Sequence, residues 1–145
     1  MRLLECRCQN AVRPDSVNSG TQIREQRIID PVEADLNWRI VGVADMNGDG
    51  APDILLRNYM TADSKVWLMS GTQLSSTQPL PSEPDANWQI AAIGDFNSDG
   101  YNDIVWRRAC CSGENRIWLM NGTSLVSSVT LPAVADQTWQ IVGPR

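Results

Sequence analysis

The sequence predicts an all-β protein made of two full four-stranded antiparallel β-propeller blades, with a partial repeat on either side. Two observations support this fold class. The chain repeats itself with a period of about 50 residues, and each full repeat contains four short strand-like segments without helical periodicity. A period of this length is typical of repeat architectures, in which each unit buries its faces against its neighbours.

Tryptophans mark the repeat. Trp38, Trp88 and Trp139 each begin an apolar segment, and they lie 50 and 51 residues apart. Trp-Leu-Met segments beginning at Trp67 and Trp118 recur with a spacing of 51 residues. The resulting division is an unassigned segment at 1–17 and a repeat region at 18–145, with a partial repeat at 19–35, blades at 38–87 and 88–138, and a partial repeat at 139–145.

Each blade contains four segments that we predict to be strands. They are 37–44, 54–58, 65–70 and 73–78 in the first blade, and 87–94, 104–108, 116–121 and 124–130 in the second. The first and third segments are apolar on both faces, which is typical of a sheet between two other layers. The fourth is rich in Ser and Thr, which predicts a solvent-facing edge.

The loop after the first strand of each blade has the composition of a cation site. The two loops read Asp-Met-Asn-Gly-Asp-Gly-Ala-Pro-Asp and Asp-Phe-Asn-Ser-Asp-Gly-Tyr-Asn-Asp. Oxygen-bearing side chains stand at positions 1, 3, 5 and 9, and residue 7 offers a carbonyl, as in the first part of an EF-hand loop. The predicted ligands of two Ca²⁺ ions are Asp45, Asn47, Asp49, the carbonyl of Ala51 and Asp53, and Asp95, Asn97, Asp99, the carbonyl of Tyr101 and Asp103.

Crowded carboxylates favour this interpretation over an ordinary Asx-rich turn, which is the alternative. Each carboxylate pair repels by about 1 kcal/mol in water and by roughly 4 kcal/mol at a partly shielded dielectric, and a divalent cation removes that cost. Two calcium ions would change the net charge from -5 to -1, because they add four positive charges. A mere turn does not require Asp at position 9, yet both loops have it.

Composition excludes several classes of function. The chain has no histidine, which excludes His-based nucleophilic triads and His-ligated zinc. Its acidity argues against a nucleic-acid partner, and no apolar run approaches the ~20 residues of a membrane span. The loop carboxylates are needed for calcium, and no other acid or base occurs in only one copy beside a suggestive partner. We therefore expect no enzymatic activity.

Three tryptophans and two arginines are further candidates for ligand contact. Trp67, Trp106 and Trp118 could stack on sugar rings, although periodic tryptophan in a stacked sheet more often forms the core between blades. Arg57 and Arg107 could bind an anion, but they are better explained by pairing with acidic neighbours or by a place at the blade rim.

The four cysteines do not have the Cys-x-x-Cys spacing of a structural zinc site. Cys6 and Cys8 lie near the N-terminus, and Cys110 and Cys111 fall in the hairpin between the second and third strands of the second blade. Because adjacent cysteines bridge each other only with strain, any disulfide would join this hairpin to the N-terminal pair or to another subunit.

The duplicated pattern Gly/Ala-x-x-Asp-x-Asn-x-Asp-Gly-x-x-Asp-Ile, between Trp-x-Ile and Trp-Leu-Met-x-Gly-Thr, resembles the FG-GAP/VCBS repeats of integrin-like propellers. The resemblance covers about residues 19–143. It implies calcium in both loops, a ring of about seven blades, an extracellular location, and a role in adhesion, ligand binding or carbohydrate binding. The start of the chain does not read as a secretory signal, because Glu5 interrupts its apolar run.

Two blades are fewer than a ring requires, and their outer faces would expose apolar surface. We therefore expect a homo-oligomer or a fragment of a longer propeller. The leading segment 20–29 and the trailing segment 139–143 could each contribute a strand to a blade of another subunit. Besides a binding module, a purely structural repeat array and an accessory segment of a secreted carbohydrate-active enzyme remain open.

Overall fold

A computed structural model describes residues 33–110 and 112–143. They form two four-stranded antiparallel sheets in which the strands pair in chain order. The strands of the first sheet are β1 (Trp38–Ala44), β2 (Asp53–Asn58), β3 (Ser64–Ser70) and β4 (Gln73–Pro79). Those of the second sheet are β5 (Trp88–Gly94), β6 (Asp103–Arg108), β7 (Asn115–Asn121) and β8 (Ser124–Leu131).

The predicted fold class is confirmed, since the two sheets are consistent with propeller blades. Every strand boundary lies within one residue of its predicted position. The sheets also share their irregularities, because bulges interrupt the pairing at equivalent places in the two copies. These bulges lie between Ile40 and Gly42, Ile90 and Ala92, Leu68 and Met69, and Leu119 and Met120. The described blades do not close a ring.

The main core lies between the two sheets. Leu55 and Val66 of the first sheet join Ile104, Trp106 and Trp118 of the second in one buried cluster. A second cluster covers the opposite face of the first sheet, and its members are Ile54, Leu56, Trp67 and Met69. Successive residues of β2 therefore face different clusters, as expected for a strand between two layers.

The innermost strands of the two sheets, β1 and β5, approach one another closely. A Cβ atom added at Gly42 of β1 would collide with the side chain of Ile93 in β5. Farther along the chain, a Cβ atom at Gly143 would lie 3.2 Å from the Cβ of Ala92. The segment at 139–143 therefore lies against β5 of the second sheet, in the same way that β5 lies against β1 of the first. Gly42 and Gly143 allow these close approaches because they have no side chain.

Burial follows the predicted gradient except at β1. β3 and β7 are mostly buried or half-buried and β4 and β8 are largely exposed, as predicted. β2 is buried throughout. The expectation that β1 is covered on both faces is wrong, because Ile40 and Val43 are each 60 % exposed. Among the described strands, β1 pairs only with β2 and lies at the edge of its sheet, and its bulge changes the alternation of its side chains.

The strands predicted in the partial repeats, which would complete a blade of another subunit, stay predictions. Residues 139–143 are not a strand in this structure, because no described strand pairs with them. The predicted leading segment 20–29, together with Cys6, Cys8 and Cys111, lies outside the described residues. Across the described ranges, no helix has the length and apolar character needed to cross a membrane.

Candidate cation-binding loops

Two equivalent loops connect the first and second strands of the sheets. Loop 1, residues 45–53, joins β1 to β2, and loop 2, residues 95–103, joins β5 to β6. Position 6 of each loop is a glycine with positive φ. The angle is 84° at Gly50 and 91° at Gly100. This conformation makes the predicted sharp turn and favours glycine.

Asp45, at position 1, organises the turn of loop 1. Its Oδ1 accepts hydrogen bonds from the backbone N–H groups of Gly48 at 2.7 Å and Asp49 at 3.2 Å. Its Oδ2 accepts a third from Gly50 at 2.8 Å. One carboxylate therefore holds three successive backbone amides and fixes its own position relative to the rest of the loop.

Asn47 and Asp49, at positions 3 and 5, are linked to each other. The Asn47 Nδ2 donates to Asp49 Oδ2 at 2.9 Å, and the Asp49 N–H donates to Asn47 Oδ1 at 3.0 Å. The Ala51 N–H donates to Asp49 Oδ1 at 2.7 Å. This bond from Ala51, followed by the bond from Asn47, lowers the pKa of Asp49. The carboxylate is therefore charged at neutral pH and suited to a cation.

Loop 2 repeats this arrangement. The Asn97 Nδ2 donates to Asp99 Oδ2 at 2.7 Å, and the Tyr101 N–H donates to Asp99 Oδ1 at 2.9 Å. Asp95 accepts from the N–H groups of Asp99 at 3.2 Å and Gly100 at 2.9 Å. The same donor and acceptor roles thus recur at equivalent positions in both copies.

The aspartates at position 9 are fully buried and bind the backbone. Asp53 accepts at Oδ2 from the Met46 N–H and at Oδ1 from the Met69 N–H, both at 2.9 Å. In the second sheet, Asp103 accepts in the same way from Phe96 and Met120. Each aspartate therefore fastens the start of its loop to the end of the third strand, a role that the sequence analysis missed. Its role as a calcium ligand stays a prediction.

The donor set of each loop fits a hard cation in its chemistry. Asp45, Asn47 and Asp49 offer two carboxylates and an amide oxygen on one short turn, and calcium prefers oxygen ligands of this kind. Throughout the described part of the chain, no three acidic, His or Cys side chains gather closely enough to hold a metal. The loop oxygens here accept hydrogen bonds from the loop's own N–H groups.

The three tryptophans considered as sugar contacts lie in the core. Trp67, Trp106 and Trp118 are 6 %, 0 % and 4 % exposed. The rings of Trp106 and Trp118 pack against each other with their centroids 4.8 Å apart and their planes tilted by 58°, a geometry that aromatic pairs favour. None of the three presents a face to solvent on which a sugar could stack.

The arginines after the second strands hold the sheets together. Arg57 is fully buried and donates to the carbonyls of Ala62, Glu83 and Asp85. The expectation that it pairs with acidic side chains or lies at the rim is therefore wrong, because backbone carbonyls of the segment between the sheets bind it instead. Arg107 makes equivalent bonds to the carbonyls of Val134 and Asp136, and to the side chain of Asn115.

A second basic position, on the third strand, was missed by the sequence analysis. Arg116 lies over the ring of Trp88, 4.0 Å from its centroid, and pairs with Glu83. In the first sheet, Lys65 lies 4.0 Å from the ring centroid of Trp38 and pairs with Glu33. These pairs could have been predicted from the repeat, because Glu33 and Glu83 lie 50 residues apart and Lys65 and Arg116 lie 51 residues apart.

Repeated four-stranded sheets with an Asp-x-Asn-x-Asp-Gly loop between their first two strands define a class of β-repeat protein. Within that class, residues 45–106 match the FG-GAP-like repeat family. The resemblance seen in the sequence is confirmed over this range, which covers loop 1, the rest of the first sheet and the start of the second. Comparisons with curated proteins and with solved structures gave no match.

Proposed function

We propose that the chain is a calcium-binding β-propeller repeat module that serves ligand binding or adhesion outside the cell. The observation that carries the proposal is the duplication of the loop. In two sheets of the same topology, the two turns present the same pair of carboxylates and amide, and the hydrogen bonds that the residues at positions 3 and 7 donate to the Asp at position 5 recur in both. In loops of this type, FG-GAP repeats often bind Ca²⁺, which supports the proposal.

Calcium would act here as a structural ion. Asp45, Asn47 and Asp49 would hold it in loop 1, together with the carbonyl of Ala51, and their counterparts would do so in loop 2. The ion would neutralise the repulsion between the loop carboxylates. An ion that binds the folded state alone stabilises that state in proportion to the logarithm of its concentration.

The assembly is proposed to continue beyond the second sheet, in a homo-oligomer or in a longer array of repeats. Met46, in loop 1, is 1 % exposed because it packs in the core between the sheets, whereas Phe96, its counterpart in loop 2, is 45 % exposed. A groove of about 320 Å³ runs beside Phe96's sheet and is lined by Gln89, Arg107 and Trp139. This is the position that a further blade would occupy.

A non-catalytic role agrees with the titratable groups of the described residues. The aspartates with a lowered pKa other than Asp49 are Asp35, Asp85 and Asp136. Each occupies the same turn before the first strand of a repeat and accepts a hydrogen bond from the residue two positions later. They are repeated turn residues, not a single asymmetric site.

A purely structural repeat array is the second candidate, and the burial of the tryptophans favours it over carbohydrate binding. With Trp67, Trp106 and Trp118 inside the core, a glycan would have to be bound by other residues. A glycan array probed with the calcium-loaded chain separates the two functions. Specific hits support a binding module, and their absence supports the structural array.

Thermal unfolding with and without calcium tests the metal sites. We expect the unfolding temperature to rise with calcium in the wild-type chain and to stay unchanged in the double variant Asp49→Ala plus Asp99→Ala. The matched control is Gln78→Ala, an exposed substitution on β4, which should retain the calcium response. A wild-type chain without any response would refute the metal proposal. Light scattering tests the assembly, and a stable monomer would contradict the homo-oligomer.

A further inference from the structure

Loop 2 contacts loop 1 directly through the side chain of Asn102. The Asn102 Nδ2 donates a hydrogen bond of 2.8 Å to the backbone carbonyl of Asp45. Asn102 is at position 8 of loop 2, where loop 1 has Pro52, which lacks an amide side chain. The first predicted ligand of one loop is therefore held by a side chain of the other.

Other groups of the second sheet surround the same part of loop 1. A Cβ atom at Gly48 would lie 3.9 Å from Cε1 of Tyr101, so the tyrosine ring lies beside the turn. A Cβ atom at Gly122 would lie 3.5 Å from the Met46 carbonyl oxygen, so the β7–β8 turn also lies beside loop 1. The Met46 side chain is buried in the core between the sheets.

Loop 1 is also the better organised of the two turns. Asp45 accepts three backbone N–H groups, whereas Asp95 accepts two. The position after the amide ligand has φ 78° at Gly48 and φ 63° at Ser98. Positive φ costs free energy at serine and little at glycine. Loop 2 therefore adopts its turn with more backbone strain and with one hydrogen bond fewer.

From these contacts we infer that Asn102 is a positioning residue for the cation site of loop 1, and that loop 1 is the tighter of the two sites. The inference rests on the proposed calcium function. It adds that loop 1 binds calcium more tightly than loop 2 and that Asn102 contributes to this difference. A binding loop that is already held in its bound shape loses less conformational freedom when the ligand arrives. Asn102 provides this restraint at the backbone of Asp45.

Calcium titration followed by backbone amide NMR of the full chain tests the inference, because Gly50 and Gly100 report the two loops separately. In the wild type, the Gly50 signal reaches its midpoint at a lower calcium concentration than the Gly100 signal. In Asn102→Ala, the Gly50 midpoint rises about three- to tenfold, the range expected for one neutral hydrogen bond, and the two midpoints converge. Gln78→Ala, which removes an exposed amide of β4, leaves both midpoints unchanged.

The outcomes separate the two proposals. If neither glycine responds to calcium in the wild type, the calcium function fails and the inference fails with it. If both glycines respond but Gly100 titrates first or together with Gly50, calcium binding stands and the order of affinity is refuted. If Asn102→Ala moves both midpoints by the same factor, or neither, Asn102 has no positioning role. The wild-type order is decisive even if the variant does not fold.

Discussion

Arg57 stacks on Trp106 across the interface between the two sheets, with its guanidinium carbon 4.9 Å from the ring centroid. The arginine lies at the end of β2, and the tryptophan lies in β6 of the next sheet. Arg57 also donates to the carbonyls of Glu83 and Asp85, which lie in the segment that leads into the second sheet. One side chain therefore binds both the face of the next blade and the chain that enters it.

Arg57→Ala should lower the free energy of unfolding by about 3 kcal/mol, because it removes several buried hydrogen bonds and leaves carbonyls without donors. Arg107→Ala is the matched control, since Arg107 makes similar bonds from a half-buried position. We expect the control to cost about 1 kcal/mol. Urea denaturation of both variants measures the difference, and equal losses would contradict the role of Arg57 between the sheets.

Asp53→Ala should destabilise the chain even without calcium, because the backbone N–H groups of Met46 and Met69 would lose their buried acceptor. Each buried group left unpaired costs about 1–3 kcal/mol. Asp49→Ala, on the exposed side of the same loop, should cost far less under these conditions. Denaturation in the presence of a calcium chelator makes this comparison. A small loss for Asp53→Ala would show that its carboxylate serves calcium and not the fold.

Glu83→Gln should cost about 1–3 kcal/mol, because Arg116 would keep a charge in a half-buried site without its anionic partner. Burial already lowers the pKa of Arg116. The control is Glu114→Gln, which removes the partner of Arg108 from a more exposed ion pair of 2.9 Å and should cost less than about 1 kcal/mol. Thermal or urea unfolding compares the two, and a larger loss for the control would refute the prediction.

Acid should destabilise the fold through its repeated turn aspartates. The Asn87 N–H is the main group that lowers the pKa of Asp85 in the folded state from its ordinary 3.8. A lowered folded pKa stabilises the protein above the unfolded value, and this stabilisation is lost as pH falls through the folded value.

The unfolding temperature should therefore change little between roughly pH 5 and 7 and decline below the ordinary pKa. Asp85→Asn should make the decline shallower, since it removes one of the responsible carboxylates, while Gln89→Ala should follow the wild type. Calorimetry across this pH range checks both curves. An Asp85→Asn curve as steep as that of the wild type would show that this turn does not contribute.

The strands and the loops of this fold could be predicted because each depends on a short, continuous stretch of sequence. Alternating apolar residues fix the strands, and the spacing of Asp45, Asn47 and Asp49 fixes the turn between two of them. The repeat then adds a second, independent copy of each pattern. These signals do not depend on how the sheets are placed relative to one another.

Contacts between distant parts of the chain were the ones that prediction missed. From the local sequence, Arg57 is predicted to lie at the rim, but the second sheet covers it. Asp53 is predicted to be one more loop ligand, but its carboxylate binds the backbone at the end of β3. Ile40 and Val43 read as buried, yet they lie on an edge strand with an exposed surface. Arg57 and Asp53 bind groups far along the chain, so the local pattern carries no information about those partners.

Isothermal titration of the full chain with calcium counts the bound ions and therefore shows whether both loops are calcium sites. We expect two Ca²⁺ ions per chain for the wild type, one for Asp49→Ala or Asp99→Ala alone, and none for the double variant. A wild-type chain that binds no calcium, or a stoichiometry that these substitutions leave unchanged, would contradict this expectation.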